Sequence, residues 1–392
     1  MEVDLRHVRW MSPTIFVIAF GLLPTSATTQ EAQELFGGYP AARMGGNYMH
    51  NFYLPPAMNS TPWYPSWAPD GQSVAVSMHG SIWSIDVDTG LAIELVSGPA
   101  YYSSPNYSAD GRWLVYTADD HGASIQIEVL DLSTGDTQAL TTGTAVHADP
   151  SFSPDGTRIA YVSTEPTGYF NVYVRGFADG QWTGPPEAVT SDNSYGRDRL
   201  YFGSEDIHIS PSWFPDGNEL LLVSNRDVPL GSGNVFRVPA RADGFDDRVP
   251  VLAEQTLYRT QPHVSVDGRR FVFSSTRGAA DQYNNLYVQP TVGGEPYKLT
   301  FLESDAFHPR WSPDGEWIAY IGNEGGLPGL KLLETYGGRV VDVEISGRRW
   351  LDPVGRLRVT TVGPDGQPTG TRIHLTGADG KSYAPADQYA RL

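Results

Sequence analysis

The side chains best suited to metal or nucleophilic chemistry are scattered along this sequence. The nine histidines are His7, His50, His79, His121, His147, His208, His263, His308 and His374. A hydrolytic metal site needs several histidine and carboxylate ligands on one ion, often announced by a His-x-His pair, and no such pair occurs. The sequence also has no His-Glu-x-x-His helix, no Gly-x-Ser-x-Gly elbow and no cysteine. We therefore predict no catalytic residue, no metal site and no cofactor for this chain.

A more informative group of polar side chains precedes a proline that recurs six times. We call it the pre-proline set; it comprises Tyr64, Ser104, Asp149, Ser210, Gln261 and His308. If the strand that carries each member lies next to a central axis, the set encircles a channel. Two interpretations stay open, a solvated channel wall without a ligand and a shallow binding site with Asp149 and His308 as its ionisable members.

An insertion after the third repeat is the second candidate site. Nine residues separate the last strand of a repeat from the next proline in four places, but 21 residues do so here. The candidates for partner binding are Arg197, Asp198, Arg199, Tyr201, Glu205, Asp206 and His208. Long loops on rigid scaffolds often carry function, and arginines among aromatics are typical of interface hot spots. A self-packed loop joined by arginine–carboxylate pairs is the alternative.

Both candidates belong to a repeat of the form Pro-x-aromatic-Ser-Pro-Asp-Gly, with strand-like runs on either side. Its Asp-Gly pairs begin at Asp70, Asp110, Asp155, Asp216, Asp267 and Asp314. An Asp-Gly pair predicts a hairpin, because glycine accepts a positive φ and aspartate bonds its own backbone. The first repeat is predicted to hold strands at 63–68, 73–79, 82–87 and 92–96. We interpret the aspartates as turn formers and the repeat aromatics as core between repeats.

The number and the period of the repeats indicate the fold class. Intervals of 40, 45, 61, 51 and 47 residues separate the Asp-Gly pairs, and each unit has four predicted strands. One such sheet cannot bury both of its faces alone, so the units must stack around an axis. The prediction is an all-β protein: a six-bladed β-propeller over 61–347, followed by the first strands of a partial immunoglobulin-like domain over 348–392.

The repeat, with its Leu-Thr ending before the next copy, resembles the units of TolB-like six-bladed propellers. More narrowly, the N-terminal propeller region of exported bacterial amidohydrolase-type metal-dependent hydrolases is resembled by four stretches, 48–56, 195–203, 257–260 and 333–338. In those proteins a small immunoglobulin-like segment and a hydrolase domain follow the propeller. The resemblance implies that 348–392 opens an incomplete β-sandwich and that any hydrolase domain lies outside this chain.

The N-terminus and the overall charge bear on location and partners. Residues 1–27 read as a signal peptide, with arginines before a short apolar run and small residues at its end, and 28–60 form a lead-in segment. The apolar run is too short for a comfortable membrane span, so no stable membrane insertion is predicted. A formal net charge of −18 without a basic patch argues against a nucleic-acid partner. These features predict a periplasmic or secreted protein.

Two functions remain from the sequence. The first is an exported binding or scaffolding module, non-catalytic as it stands, that contacts a protein or ligand. The alternative is the N-terminal, substrate-gating propeller of a metal-dependent hydrolase, whose partner would be its own downstream domain.

Overall fold

The computed structural model describes residues 60–194, 205–228, 233–253, 261–277, 283–355, 357–371, 373, 375–381 and 383. They form six sheets of four consecutive antiparallel strands each, which are the blades of a propeller. The predicted signal peptide, the lead-in as far as residue 59 and most of the insertion lie outside the described residues.

The first three blades follow one another directly along the chain. Blade 1 consists of β1 (Trp63–Trp67), β2 (Ser73–Met78), β3 (Ser81–Asp86) and β4 (Leu91–Val96). Blade 2 consists of β5 (Tyr101–Tyr107), β6 (Trp113–Asp119), β7 (Ile125–Asp131) and β8 (Thr137–Ala139). Blade 3 consists of β9 (His147–Phe152), β10 (Arg158–Ser163), β11 (Asn171–Ala178) and β12 (Gln181–Ala188). The strands of blade 1 agree with the sequence prediction to within one residue at most of their ends.

The other three blades have the same order. Blade 4 consists of β13 (His208–Trp213), β14 (Glu219–Ser224), β15 (Asn234–Pro239) and β16 (Val249–Leu252), with a short 3-10 helix at Gly244–Asp247. Blade 5 consists of β17 (His263–Val264), β18 (Arg270–Ser275), β19 (Asn285–Pro290) and β20 (Tyr297–Lys298). Blade 6 consists of β21 (Ala306–Trp311), β22 (Trp317–Gly322), β23 (Gly329–Glu334) and β24 (Val340–Asp342), with a 3-10 turn at Glu324–Gly326.

The first strand of every blade lies innermost, and these six strands touch one another in a closed ring. β1 contacts β5, β5 contacts β9, and the series continues through β13, β17 and β21 back to β1. The second strands are buried along nearly their whole length, as in the Glu-Leu-Leu-Leu-Val-Ser run of β14. Such continuous apolar runs are typical of strands covered on both faces, here by the neighbouring blades.

The turns that join the first and second strands explain why Asp-Gly recurs. In all six the aspartate carboxylate accepts the backbone N–H two residues on, for example Gln72 N to Asp70 Oδ1 at 2.9 Å. The glycine that follows has a φ of 69 to 75°, a left-handed conformation that costs a glycine little. The six aspartates are therefore turn formers, as the sequence predicted.

The ring closes where blade 6 meets blade 1, and the chain beyond blade 6 reinforces that junction. A core cluster there joins Trp83 and Val76 of blade 1 to Ile321 and Leu332 of blade 6. The strand β25 (Gly347–Arg349) then adds in parallel to β4, making blade 1 a five-stranded sheet. An outer strand from the end of the propeller thus holds its first blade.

Beyond Arg349 the described residues contain turns and isolated bridges, one of them between Val362 and Pro368. Trp350 packs edge-on against Trp83, with 4.6 Å between ring centroids. Farther along, the buried Lys381 ammonium donates to the backbone carbonyl of Gly80 at 2.9 Å, and burial lowers its pKa to about 8. This segment is therefore attached to blade 1 at two separated places.

Candidate functional site

The innermost strands share an irregularity at the recurring proline. In β1, Trp63 pairs with Ser77 and Ser66 pairs with Ala75, so two residues face one on the neighbouring strand. The same two-against-one arrangement interrupts β5, β9, β13 and β21 at the corresponding positions. Proline has no N–H to give to a ladder, so a β-bulge is where a strand can accommodate it. A bulge also redirects a side chain, and here it does so beside the propeller axis.

Every member of the pre-proline set has left-handed backbone geometry. The φ values lie between 39° for Gln261 and 53° for Tyr64 and His308, with Ser104, Asp149 and Ser210 between them. Such values are uncommon for residues other than glycine and cost energy for an L-residue. The six residues that adopt this conformation carry five kinds of side-chain group: hydroxyl, amide, carboxylate, imidazole and phenol. Backbone geometry is thus constant while side-chain identity varies.

An open cavity of about 250 Å³ lies between these strands at the propeller axis. Five members of the pre-proline set line it, namely Tyr64, Ser104, Asp149, Ser210 and Gln261. The structure therefore brings together most of the set that the sequence singled out. Within it, Ser104 donates its hydroxyl to Asp149 Oδ1 at 3.1 Å, which links blades 2 and 3 across the wall.

His308 takes a different place from the rest of the set. Its ring stacks on that of Tyr64, with centroids 4.1 Å apart, and its Nδ1 accepts the Tyr64 backbone N–H at 3.3 Å. Only 4% of its surface is exposed, and it does not line the cavity. His308 therefore contributes to the closure between blades 6 and 1.

The residue after each recurring proline forms a second polar ring, the post-proline set. Its members are Ser66, Asn106, Ser151, Ser212, His263 and Arg310. Several join neighbouring blades: Asn106 Oδ1 accepts the Phe152 N–H at 2.8 Å, and His263 Nδ1 accepts the Trp311 N–H at 3.1 Å. All but Ser66 also line the cavity, so the channel wall carries two rings of polar groups.

Arg310 and His263 give the post-proline set its unusual chemistry. Arg310 contributes a cation to the cavity wall; burial lowers the pKa of its guanidinium to about 10, although Asp149 and Tyr64 act in the opposite direction. Burial also lowers the pKa of His263, to about 3, with a contribution from Arg310. At neutral pH the cavity therefore holds a charged arginine beside an uncharged imidazole.

The base of the insertion is described, although Arg197, Asp198, Arg199 and Tyr201 lie outside the described residues. Ser194 and Glu205 form an isolated antiparallel bridge, which brings the two ends of the loop together. Partner binding by Glu205 and by the four residues just named stays a prediction.

Asp206 and His208, the remaining candidates in this region, are buried. The Asp206 carboxylate lies 2.6 Å from Arg226 Nε, and Arg226 also pairs with Asp192 at 3.0 Å. His208 is fully buried, and its Nε2 lies 3.2 Å from the Asp192 carbonyl oxygen. Its ring packs edge-on against that of Phe245, with 4.6 Å between ring centroids. Burial lowers the pKa of His208 to about 3. Both side chains therefore anchor the base of the insertion.

Comparison with known proteins agrees with this architecture. A family model described as the TolB β-propeller domain matches residues 56–192. The chain is a six-bladed β-propeller that resembles TolB over the matched residues. The solved structure of a putative TolB from Agrobacterium tumefaciens superposes with a TM-score of 0.53 at 17% identity, covering 68% of this chain and 91% of that one. TolB from Acinetobacter baumannii gives 0.53 at 19% identity, covering 77% and 68%. At such identities the likeness concerns the fold alone.

Two curated relatives each match part of this chain. An uncharacterized peptidase, YuxL of Bacillus subtilis, is 26% identical over 269 residues, which is 66% of this chain and 29% of the relative. The uncharacterized protein Atu1656 of Agrobacterium fabrum is 27% identical over 124 residues, which is 32% of this chain and 39% of the relative. The chain thus spans less than two fifths of the length of these relatives.

Within the described part of the TolB-like propeller, no group of three or more His, Asp or Glu side chains is placed to hold a metal ion. Over those same residues, no helix is both long enough and apolar enough to cross a membrane.

Sequence reasoning did not single out Arg310 and His263 in this TolB-like propeller. The signal was present in the repeat, because the post-proline position is serine or asparagine in blades 1 to 4 and changes to His263 and Arg310 in blades 5 and 6. The sequence alone could not show that the Arg310 side chain reaches the axial cavity. That relation depends on the six-fold closure.

Proposed function

We propose that this TolB-like propeller is an exported binding module that receives a ligand, or a group presented by a protein partner, at its axial cavity. The observation that carries the proposal is the pre-proline set, because five of its six left-handed residues, which include phenol, hydroxyl, carboxylate and amide side chains, line one axial cavity. Strained backbone persists only where the surrounding structure enforces it, and it concentrates at functional sites. The bulge at the proline explains the repeated backbone geometry, and the variation of the side chains on it is what favours recognition.

The cavity is suited to recognition by polar groups. Hydroxyl, amide, carboxylate and guanidinium groups from different blades converge there, each held by a rigid strand. Polar groups fixed on a scaffold determine the orientation and the specificity of a bound ligand. Binding at the axis is therefore a better supported role for this chain than scaffolding by its outer edges.

Site-specific photo-crosslinking in the native host tests the proposal. A photoreactive amino acid would replace Ala109, which is exposed and lines the cavity, and in a second strain Val292, which is 85% exposed on blade 5. Binding at the axis predicts a crosslinked product from position 109 and none from position 292. Equal yields at the two positions, or none at either, would refute an axial binding role.

Export rests on the predicted signal peptide and has its own test. We expect the natural product to be found outside the cytoplasm with an N-terminus near residue 28. Mass spectrometry of the intact protein from fractionated cells would measure both. A cytoplasmic protein that still begins at Met1 would contradict the localisation.

A second function is favoured by the match to the longer relative named as a peptidase. In this alternative the propeller gates or presents substrate to a hydrolase domain, as the amidohydrolase-type resemblance also suggests, and 348–392 would open the connecting immunoglobulin-like segment. The same intact-mass measurement distinguishes the two functions. A natural product much heavier than 42.9 kDa that contains bound metal would favour the gating propeller.

A further inference from the structure

The cavity wall contains an arginine whose hydrogen-bonding capacity is almost unused. A guanidinium has five N–H donors. Within the described residues, Arg310 makes a single hydrogen bond, from Nη1 to the Pro309 carbonyl at 2.9 Å, and no carboxylate lies within 4.0 Å of it. Other arginines are more fully engaged: Arg237 forms two bonds to Glu219, and Arg112 forms two to Asp131. Arg310 is thus a cation in a cavity with donors to spare.

An arginine in that position favours an anion of planar shape. Removing a charge from water costs free energy unless a partner compensates it, and burial here acts on the guanidinium strongly enough to lower its pKa. A carboxylate offers two oxygens that match the guanidinium fork in a bidentate pair. Protein side chains do not supply that carboxylate within 4.0 Å among the described residues, so a ligand can.

Gln261 supplies the complementary requirement. It is 95% buried, it lines the same cavity, and its Oε1 has no hydrogen-bond partner among the described residues. A buried acceptor left unsatisfied costs about 1–3 kcal/mol. A ligand that brings an N–H or O–H donor to Gln261 would recover this loss. The two unmet needs of the cavity are therefore an anion at Arg310 and a donor at Gln261.

The remaining polar groups limit where each part of the ligand can lie. His263 Nδ1 accepts the Trp311 N–H, so the proton of the neutral ring is on Nε2, which makes a second donor beside Arg310. Asp149, which accepts the Ser104 hydroxyl, is the acidic residue of the wall and lies on blade 3, away from blades 5 and 6 along the ring. The ligand carboxylate is thus directed to the side of blades 5 and 6, and its donor group is directed to the acceptors.

We propose that the axial cavity binds a small carboxylate ligand with an N–H or O–H donor next to the carboxylate, which Arg310 holds by the carboxylate and Gln261 by the donor. The inference rests on the proposed function and names the chemistry of its ligand. A volume of about 250 Å³ is below the usual range for drug-sized ligands, so the group is a hydroxy or amino acid or the terminal residue of a peptide.

Titration calorimetry of the purified chain with matched probes tests this chemistry. N-acetyl-L-alanine stands for a peptide terminus and L-lactate for a free hydroxy acid, and at least one should bind. N-acetyl-L-alanine amide lacks the carboxylate and acetate lacks the donor; each should bind at least about 10-fold more weakly than its matched probe, because a charge-assisted or buried hydrogen bond is lost. The preferred probe identifies the source of the ligand.

Variants assign the contacts. Arg310→Gln should weaken the binding probe at least about 10-fold and Gln261→Leu to a similar extent, whereas Arg241→Gln, at an exposed ion pair with Asp247, should leave affinity unchanged. Arg310→Lys keeps the charge without the fork and should be intermediate. Circular dichroism would show that each variant is folded, and Arg310→Lys remains informative if Arg310→Gln is not.

The inference would be overturned by equal affinity for the acid and its amide, or by affinity that survives Arg310→Gln. It would also be overturned if no probe binds at concentrations up to about 10 mM, which is 10-fold above a dissociation constant of about 1 mM. If crosslinks at position 109 persist in that case, the axial binding role stands and only the ligand chemistry is wrong. If the probes bind but position 109 gives no crosslink in cells, the proposed cellular function fails instead.

Discussion

Two parts of the same recurring segment behave in opposite ways. In the Asp-Gly turns both the residue types and the backbone repeat in all six blades, and each aspartate makes the same bond. In the pre-proline set, six residues before each aspartate, the left-handed backbone repeats but the side chains differ. Where identity is repeated, the fold needs that residue type. Where only geometry is repeated, the fold needs the bulge and leaves the side chain free for another purpose.

The post-proline set occupies an intermediate position. Its side chains differ among blades, yet Asn106 and His263 each accept a backbone N–H from the next blade. Arg310 lines the cavity, and among the described residues its side chain bonds only the carbonyl of its own neighbour, Pro309. The set therefore contains both structural and recognition roles, and substitutions can separate them. The predictions below do so, beginning with the largest expected effect.

The repeated aromatic position should be the most costly to remove. Trp213 is 8% exposed, packs in the core between blades 3 and 4, and donates its Nε1 to the Ser151 carbonyl at 2.9 Å. Trp213→Ala should lower the free energy of unfolding by about 3–5 kcal/mol, measured by chemical denaturation. Trp213→Phe keeps an aromatic ring and should lose much less. An equal loss in both would mean that the hydrogen bond, not the packing, holds the blades together.

The next effect concerns His263 and depends on pH. Its folded pKa, about 3, lies below the unfolded value near 6.5, so the unfolded chain binds a proton that the folded chain does not. The stability that the neutral His263 contributes is complete above pH 6.5. It falls as the pH is lowered from 6.5 towards the folded pKa of about 3. His263→Asn keeps an acceptor, as Asn106 does in blade 2, and removes the titrating ring. We expect the variant to match the parent at pH 8 and to exceed it by about 1–2 kcal/mol at pH 5.

Urea denaturation of both proteins at the two pH values would measure this difference. His208→Asn is a useful contrast, because the ring of His208 fills space against Phe245 and its loss should destabilise at both pH values. A parallel pH dependence in the parent and His263→Asn would contradict the role assigned to His263.

The Asp-Gly turns could be predicted from the sequence, whereas the cavity formed by the pre-proline set could not. Asp155 and Gly156 repeat with their spacing, so turns, strands, blade number and ring could be derived from local rules. The polar residues before proline could be named, because they stand next to a repeated residue. Their left-handed conformation and the shared cavity could not, since both depend on a bulge in a closed ring. Likewise, the burial of Asp206 and His208 depends on Arg226 and Phe245, which lie far along the chain.

A smaller effect is expected where a turn glycine is replaced. Gly156 has a φ of 71°, and an added Cβ would meet nothing within 4 Å, so backbone strain alone opposes a side chain. Gly156→Ala should therefore cost about 1–2 kcal/mol. Gly329, in β23, also has open space but not a positive φ, and Gly329→Ala should be neutral or slightly stabilising. Equal melting temperatures for the two variants would show that the turn geometry does not require glycine.

The smallest effect tests the strain in the pre-proline set directly, three residues from Trp213 in the same strand. Ser210 has a φ of 51°, which glycine adopts without steric cost, so Ser210→Gly should be neutral or stabilise the fold by up to about 1 kcal/mol. The matched control is Ser66→Gly, because Ser66 lies in β1 without a positive φ and should lose about 0.5–1 kcal/mol. If both substitutions destabilise equally, the pre-proline residues are not strained, and their geometry no longer supports a binding role. If Ser210→Gly is the more stable protein, the native serine is kept at a cost to the fold, as expected of a side chain that faces a ligand.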